Sequence, residues 1–159
     1  MPAFHDGVMM DLLLWRHAEA EDGEDDLARE LTVRGRRQAE KMAAWIRAHQ
    51  PKDLRIIVSP SVRTCQTADA LGLPYEIHRK LEPRGCVSEL IAASGWPTAR
   101  GAVLLVGHQP GLGNLASLLL GGHEAAWTIK KGALWWLTNR VRADENQTVL
   151  RAALTPDLL

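Results

Sequence analysis

Two arginines and two histidines stand just after short apolar runs of the sequence. Arg16 and His17 follow residues 12–15, Arg63 follows residues 56–58 after the segment 59–62, and His108 follows residues 103–106 and a glycine. A guanidinium keeps its proton at neutral pH and presents a planar fork of donors that suits phosphoryl oxygens. A neutral imidazole is a nucleophile near pH 7, and nearby cations lower its pKa because they disfavour imidazolium. The four side chains therefore predict an anion site, with phosphate as the best-fitting ligand, at which one histidine attacks phosphorus and the other binds charge.

The elements around these residues explain how they could meet. Continuous apolar runs are typical of strands that are covered on both faces, and they alternate here with helical patterns near residues 33–49, 60–71 and 110–120. This alternation predicts an α/β fold, a three-layer α/β/α sandwich with a mostly parallel central sheet. In such sheets the ligand crevice lies outside the carboxyl ends of the strands, so the three strand exits should share one edge.

The helix boundaries carry further predictions. Pro60 and Pro110 are each expected at the first position of a helix that begins directly after a strand, with its free N–H groups near the site. Thr32 is expected to cap the helix near 33–49. Towards the C-terminus, residues 133–138 and 148–153 predict a hairpin or edge addition to the sheet.

A strongly acidic segment lies between the first strand and the first helix. Its seven acidic residues are Glu19, Glu21, Asp22, Glu24, Asp25, Asp26 and Glu30. Without apolar periodicity the segment is interpreted as a solvated loop. The alternative is a flap beside the site that repels highly anionic substrates. Arg34, Arg36 and Arg37 are interpreted as a solvated helix face.

Size and composition limit the possible functions. At 159 residues and 46% hydrophobic content, the chain suits one domain, expected over residues 9–159, preceded by a disordered extension over residues 1–8. Basic and acidic residues number 19 each, so there is no global basic field for nucleic acid or a membrane surface. With only two cysteines, no secretory signal and no long apolar span, the cytoplasm is the expected compartment.

Four ordered segments carry a resemblance to a known family. Residues 14–20 resemble the Arg-His-Gly signature of the histidine phosphatase superfamily, with Ala18 where glycine is usual. Residues 59–68 resemble its second arginine motif, residues 106–110 resemble its second histidine motif, and residues 31–39 add a fourth similar segment. Within that superfamily, the chain most resembles the SixA-type phosphohistidine phosphatases, because of its short length, Ala18 and the turn at residues 81–85.

The resemblance implies a phosphoglycerate mutase-like fold and a set of roles. His17 would take the phosphoryl group, Arg16, Arg63 and His108 would surround it, and water would hydrolyse the phosphohistidine intermediate without a metal or another cofactor. A loop carboxylate that protonates the leaving group has its nearest equivalent in Glu82, with Glu19 as a second candidate. The implied substrate is phosphohistidine on a protein, whose imidazole leaving group needs little acid catalysis.

Parts of the sequence also fit other functions. A small-molecule phosphomonoesterase and a phosphoglycerate mutase-like transferase would share the catalytic residues, whereas a non-catalytic phosphate-binding module would not need both histidines. Residues 111–116 fit a Gly-x-Gly-x-x-Ala dinucleotide pattern, but no strand ending in an acidic residue follows about 20 residues later to bind a ribose. No P-loop for ATP hydrolysis occurs.

Overall fold

The computed structural model describes residues 7–159, and within them the chain forms six strands and four α-helices. The strands are β1 (Gly7–Arg16), β2 (Leu54–Val58), β3 (Glu76–Ile77), β4 (Ala102–Gly107), β5 (Leu134–Arg142) and β6 (Glu145–Leu154). The helices are α1 (Val33–Ala48), α2 (Val62–Asp69), α3 (Val87–Ser94) and α4 (Gly111–Gly121). Short 3₁₀ turns span Asp26–Ala28, Arg79–Leu81 and Pro156–Leu158.

The first strand begins earlier than the sequence indicates. Gly7 and Val8, which were expected in the disordered extension, belong to β1 and pair with Val141 and Arg140 of β5. Residues 1–6, the rest of the expected extension, lie outside the described residues.

The sheet has the strand order β3-β2-β4-β1-β5-β6. Strands β1 to β4 are parallel to one another, while β5 runs antiparallel to both β1 and β6. Arg16 of β1 pairs in register with Gly107 of β4, and Val58 of β2 pairs with Val106. The carboxyl ends of these three strands therefore lie at one edge, and the predicted mostly parallel α/β sheet is confirmed.

Each central strand is buried on both faces because its residues alternate between two apolar clusters. Leu12 and Leu14 pack in the cluster that contains Leu112 of α4, whereas Leu13 and Trp15 pack in the cluster that contains Ile46 of α1. Helices α1 and α2 cover one face of the sheet, and α3 and α4 cover the other. A fully buried leucine contributes about 1.5–3 kcal/mol, so this two-sided burial explains the continuous apolar runs of the sequence.

Capping explains where the helices begin. The hydroxyl of Thr32 accepts a hydrogen bond from the Gly35 amide at 2.9 Å, as predicted. The prediction of proline at the first helical position is wrong twice: α2 begins at Val62 with Ser61 as its cap, and α4 begins at Gly111 with Pro110 as its N-cap residue. The hydroxyl of Ser61 accepts from a helix amide, which a proline side chain cannot do, so α2 starts one residue after that serine.

The C-terminal hairpin is present and forms one edge of the sheet. Its turn consists of Ala143 and Asp144, with φ of 51° and 62° respectively. Two successive left-handed residues match the right-handed twist of the flanking strands. Within residues 7–159, no helix combines the length and apolar character that crossing a membrane requires.

Candidate active site

The four residues singled out at the strand ends meet in one cavity of about 300 Å³. His17 follows β1, His108 follows β4, and Arg63 lies in the first turn of α2. The imidazole centroids of His17 and His108 are 5.3 Å apart. Arg63 lies between the rings, with Nε 3.4 Å from His17 Nε2 and Nη2 3.3 Å from His108 Nδ1. Side chains this close influence one another's protonation, so their pKa values depend on each other.

The hydrogen bonds of His17 fix which ring nitrogen carries the lone pair. Nδ1 lies 2.7 Å from the carbonyl oxygen of Ala18, which can only accept, so Nδ1 is the donor. Nε2 of the neutral ring is then unprotonated, and it faces Arg63 in the cavity. Ala18 is itself held by its amide, which donates to the hydroxyl of Thr67 at 3.1 Å. The local backbone therefore leaves Nε2, with its lone pair, as the ring nitrogen that faces the cavity.

His108 has the opposite arrangement. The guanidinium of Arg63 can only donate, so Nδ1 of His108 accepts and Nε2 donates to the Ser59 hydroxyl oxygen at 2.7 Å. Ser59 is fully buried directly after β2, where its amide donates to the carbonyl oxygen of Val106. Ser59 therefore orients the second imidazole, a contact that the sequence analysis did not predict.

Burial is the main cause of the low pKa values of both histidines. Desolvation lowers the pKa of His17 to about 4; the hydrogen bond to Ala18 opposes this shift, and the charges of Arg63, Arg16 and Arg29 add to it. Desolvation also lowers the pKa of His108 to about 3, helped by His17 and Arg63. The sequence analysis gave nearby cations as the cause of a lowered histidine pKa. Burial lowers the pKa of both histidines more than these cations do. Both imidazoles are neutral at pH 7.

Arg16 has a donor that no protein group satisfies. Its Nη1 donates to the carbonyl oxygen of Ile129 at 3.0 Å. Its Nε is the only buried side-chain nitrogen or oxygen, in the part of the chain that the structure describes, without a hydrogen-bond partner. An unsatisfied buried donor costs about 1–3 kcal/mol, and more when it is charged. A phosphoryl oxygen beside Arg16 would remove this cost.

The acidic segment is not only a solvated loop, because Asp26 reaches into the site. Arg63 donates to Asp26 twice, from Nη1 to the carbonyl oxygen at 2.6 Å and from Nη2 to Oδ2 at 3.2 Å. Desolvation opposes the change, but the hydrogen bond from Arg29 and the charge of Arg63 hold the pKa of Asp26 below its ordinary value. The segment therefore takes the position expected of the alternative, a flap beside the site.

Glutamines hold this segment from two helices. The Leu31 amide donates to the side-chain oxygen of Gln66 on α2, and the Glu19 amide donates to that of Gln38 on α1. A Cβ on Gly35 would lie 1.9 Å from the carbonyl oxygen of Glu19, so the start of α1 packs against this backbone as only glycine allows. The residues 31–39 that resemble the family thus position the loop.

The two glutamates predicted as proton donors are not brought into the cavity. Glu19 accepts from the hydroxyl of Thr32 at 3.0 Å, beside the start of α1. Glu82 is exposed, and its neighbour Pro83 lines the cavity instead. Among the residues 7–159, the carboxylates that line the cavity are those of Asp22 and Asp26.

Sequence reasoning missed several lining residues, and one of them had a signal. Lys131 lies just before β5, which is antiparallel to β1 and so begins where β1 ends. Asp22, Asp26, Arg29 and Gln109 also line the cavity.

The dinucleotide pattern has a structural explanation. A Cβ on Gly113 would lie 1.8 Å from the carbonyl oxygen of Trp127, so this glycine permits a close backbone contact. The Gln109 side chain stabilises the same contact by two hydrogen bonds. Its Oε1 accepts from the Gly113 amide at 2.7 Å, and its Nε2 donates to the carbonyl oxygen of Trp127 at 2.9 Å.

Comparison with known proteins defines the class of enzyme. Residues 12–86 match the family model of the histidine phosphatase superfamily (branch 1). A sequence relative is the phosphohistidine phosphatase SixA of Escherichia coli, which is 33% identical over 122 residues, covering 71% of this chain and 76% of SixA. The chain belongs to the histidine phosphatase superfamily and is a phosphatase.

Solved structures agree with this assignment. The protein histidine phosphatase SixA complexed with tungstate superposes with a TM-score of 0.73 at 26% identity, covering 94% of this chain and 99% of that one. A phosphoserine phosphatase variant from Entamoeba histolytica, at 16% identity and TM-score 0.70, covers 95% of this chain and 100% of that one, and shows the shared fold. Within its superfamily the chain is similar to the SixA type, and the expected phosphoglycerate mutase-like fold is confirmed.

Proposed function

We propose that this phosphatase hydrolyses phosphohistidine on a protein, with His17 as the nucleophile and no metal. The observation that carries the proposal is the unprotonated Nε2 of His17, held by the Nδ1 hydrogen bond to Ala18 and facing Arg63 in a buried cavity. The low pKa of His17, about 4, keeps this atom available at neutral pH.

The reaction is two in-line displacements at phosphorus. His17 Nε2 attacks, the bond from phosphorus to the substrate nitrogen breaks, and that nitrogen keeps the electron pair and is protonated by solvent. Water then attacks phosphorus, and the bond to Nε2 breaks with its electron pair returning to Nε2. Orthophosphate leaves with the oxygen and the protons of that water. Arg16 and Arg63 stabilise the charge that develops on the phosphoryl oxygens. The negative charge of the phosphoryl group raises the pKa of His108, and a proton taken from solvent at Nδ1, in place of the bond from Arg63, makes this ring a donor to phosphate.

The carboxylates near the site favour phosphohistidine as the substrate. Asp26 has a lowered pKa and is therefore a poor proton donor at neutral pH. Glu82 would have to turn inward from an exposed position to act as the acid, and the proposed mechanism does not use it. The imidazole of phosphohistidine is a better leaving group than an alkoxide, so this substrate can be cleaved in a site without a strong general acid.

The relatives support the same substrate class. SixA of Escherichia coli is named a phosphohistidine phosphatase, and tungstate, found with SixA, is a tetrahedral oxyanion like phosphate. A role in signal transduction within the cytoplasm fits this proposal, since Cys65 and Cys86 are free thiols that a reducing compartment preserves.

A small-molecule phosphomonoesterase is the second candidate. The catalytic cavity of about 300 Å³ is at the lower end of the size range of small-ligand sites. A phosphoglycerate mutase-like transferase would use the same residues but would have to retain the phosphorylated intermediate between transfers.

Trapping the intermediate tests the nucleophile. The enzyme is mixed with a ³²P-labelled phosphohistidine peptide and quenched in alkali, where phosphohistidine survives. We expect acid-labile label on His17, no label in His17→Ala, and normal labelling in the control His123→Ala, whose side chain is exposed. Label that persists in His17→Ala would refute the assignment. Faster hydrolysis of small phosphomonoesters than of the phosphohistidine peptide would favour the second candidate.

A further inference from the structure

A second, larger cavity adjoins the catalytic one and has a strongly basic wall. Its volume is about 610 Å³, and Arg16 and Lys131 line both cavities. We call it the basic cavity; the cations that line it are Arg16, Arg34, Arg37, Lys41, Lys130 and Lys131. The carboxylate in its wall is Asp157.

The cations of the basic cavity are only partly offset by Asp157, whose pKa is lowered by the hydrogen bond from Thr155 and also by the charges of Lys130 and Arg34. In residues 7–159, the salt bridges within 4.0 Å involve Arg29, Arg55, Arg63 and Arg151, and none of the six cations of the basic cavity. Six cations and one carboxylate leave the lining of the cavity with a positive charge, so an anion that enters it is attracted. The chain has no net charge, so this concentration of cations is local.

Three of the six cations that line the basic cavity belong to α1. Arg34, Arg37 and Lys41 lie three and four residues apart, so they form a stripe along one side of α1. Ala39, Met42, Ala43 and Ile46 face the sheet, and Arg36 is exposed outside the cavity. The interpretation of all three arginines as a solvated helix face is therefore incomplete: only Arg36 of the three lies outside the cavity.

The surroundings of the catalytic cavity carry charge of both signs. Asp22 and Asp26 of the acidic segment belong to its wall, and so do Arg16 and Lys131, which continue into the basic cavity. Glu21, Glu24 and Asp25 are exposed on the same segment. A charge pattern that extends from this segment to α1 exceeds what a small phosphomonoester can contact, whereas a protein surface can span it and be bound in one orientation.

We propose that the basic cavity binds acidic side chains of the protein whose phosphohistidine is hydrolysed at His17. This inference rests on the proposed function and adds a recognition site to it. The ligand class is a cluster of carboxylates that flanks the phosphohistidine. The exposed tips of Arg34, Arg37 and Lys41 are accessible to such a cluster.

Synthetic phosphohistidine peptides test the proposal. One peptide carries three glutamates on one side of the phosphohistidine, a second carries them on the other side, and a third has glutamines in both places. The triple variant Arg34→Gln, Arg37→Gln, Lys41→Gln is compared with wild type and with Arg36→Gln, a matched control on the same helix. The measured quantity is the ratio of kcat/KM for each acidic peptide to that for the neutral one.

We expect wild type and Arg36→Gln to prefer one acidic peptide about tenfold, mainly through KM, and the triple variant to lose most of this preference. The preference should also shrink between 50 and 500 mM NaCl, because added salt screens charges in solvent-exposed sites. The neutral peptide reports any general loss from misfolding. No acidic preference in wild type, or a preference that survives in the triple variant, overturns the proposal.

A binding measurement separates this proposal from the proposed function. Hexaglutamate, which carries no phosphate, should inhibit hydrolysis of an aryl phosphate in wild type and in Arg36→Gln, with an inhibition constant at least tenfold weaker in the triple variant. That result supports acidic recognition even if phosphohistidine peptides are not cleaved, in which case the proposed function alone fails. Inhibition by tripolyphosphate but not by hexaglutamate would show a small-polyanion site and overturn the assignment to a protein partner.

Discussion

The low pKa of His17 affects stability as well as chemistry. Burial disfavours imidazolium in the folded protein, so its pKa is about 4, whereas the unfolded chain has the ordinary value near 6.5. Between these values the unfolded state binds more protons than the folded state, so the free energy of unfolding falls as pH decreases. From pH 7.5 to 5, His17 alone should lower it by about 2 kcal/mol. Above pH 7.5 its contribution is constant.

Urea unfolding at pH 7.5 and 5.0, in buffers without phosphate, measures this effect. His17→Gln keeps a polar side chain but cannot titrate, so we expect its stability to fall less than that of wild type by about 2 kcal/mol. The exposed His123 serves as the control position, because His123→Gln should behave like wild type. An equal fall in wild type and His17→Gln would show that His17 titrates normally.

At the level of elements, the acidic segment limits anion binding through one side chain. The Asp26 carboxylate lies 3.2 Å from Arg63 Nη2 and lines the cavity. We therefore expect Asp26 to compete with phosphate for the Arg63 guanidinium and to repel the phosphate. Asp26→Asn should therefore lower the inhibition constant of orthophosphate about twofold to fivefold, since exposed or half-exposed charge pairs contribute up to about 1 kcal/mol. Asp25→Asn, adjacent but outside the cavity wall, is the matched control.

Steady-state inhibition by orthophosphate with an aryl phosphate substrate gives this constant. Weaker inhibition in Asp26→Asn than in wild type would contradict the competition argument. It would mean instead that Asp26 mainly orients Arg63, and that the arginine leaves its place once the carboxylate is lost.

The same elements show what the sequence could predict. Arg16 and His108 meet because parallel strands end at one edge, and strand runs are visible as apolar patterns. Asp26 was not predictable as a partner of Arg63, since its segment has no periodicity and is placed by contacts with Gln38 and Gln66 on two helices. The sequence also did not show that burial lowers the pKa of His17 more than the nearby cations do, because burial depends on how closely these elements pack.

For the whole molecule, the site should couple anion binding to folding. Arg16, Arg63 and His108 come from distant parts of the chain, so only the folded protein assembles the proposed phosphate site. At about 100 times the dissociation constant, orthophosphate should add about 2.7 kcal/mol of stability, which raises the Tm by about 5–10 °C. Thermal unfolding with increasing orthophosphate measures this shift. Each variant is compared with its own Tm in phosphate-free buffer, which removes any intrinsic loss of stability.

The two cavities make this measurement specific. Arg63→Ala removes a cation that lines only the catalytic cavity, so we expect it to lose most of the phosphate-dependent shift. The triple variant Arg34→Gln, Arg37→Gln, Lys41→Gln changes only the basic cavity and should retain the shift. The reverse pattern would place the strongest phosphate site on α1 rather than beside His17. Because the shift requires no turnover, it tests the anion site independently of the substrate and of the nucleophile.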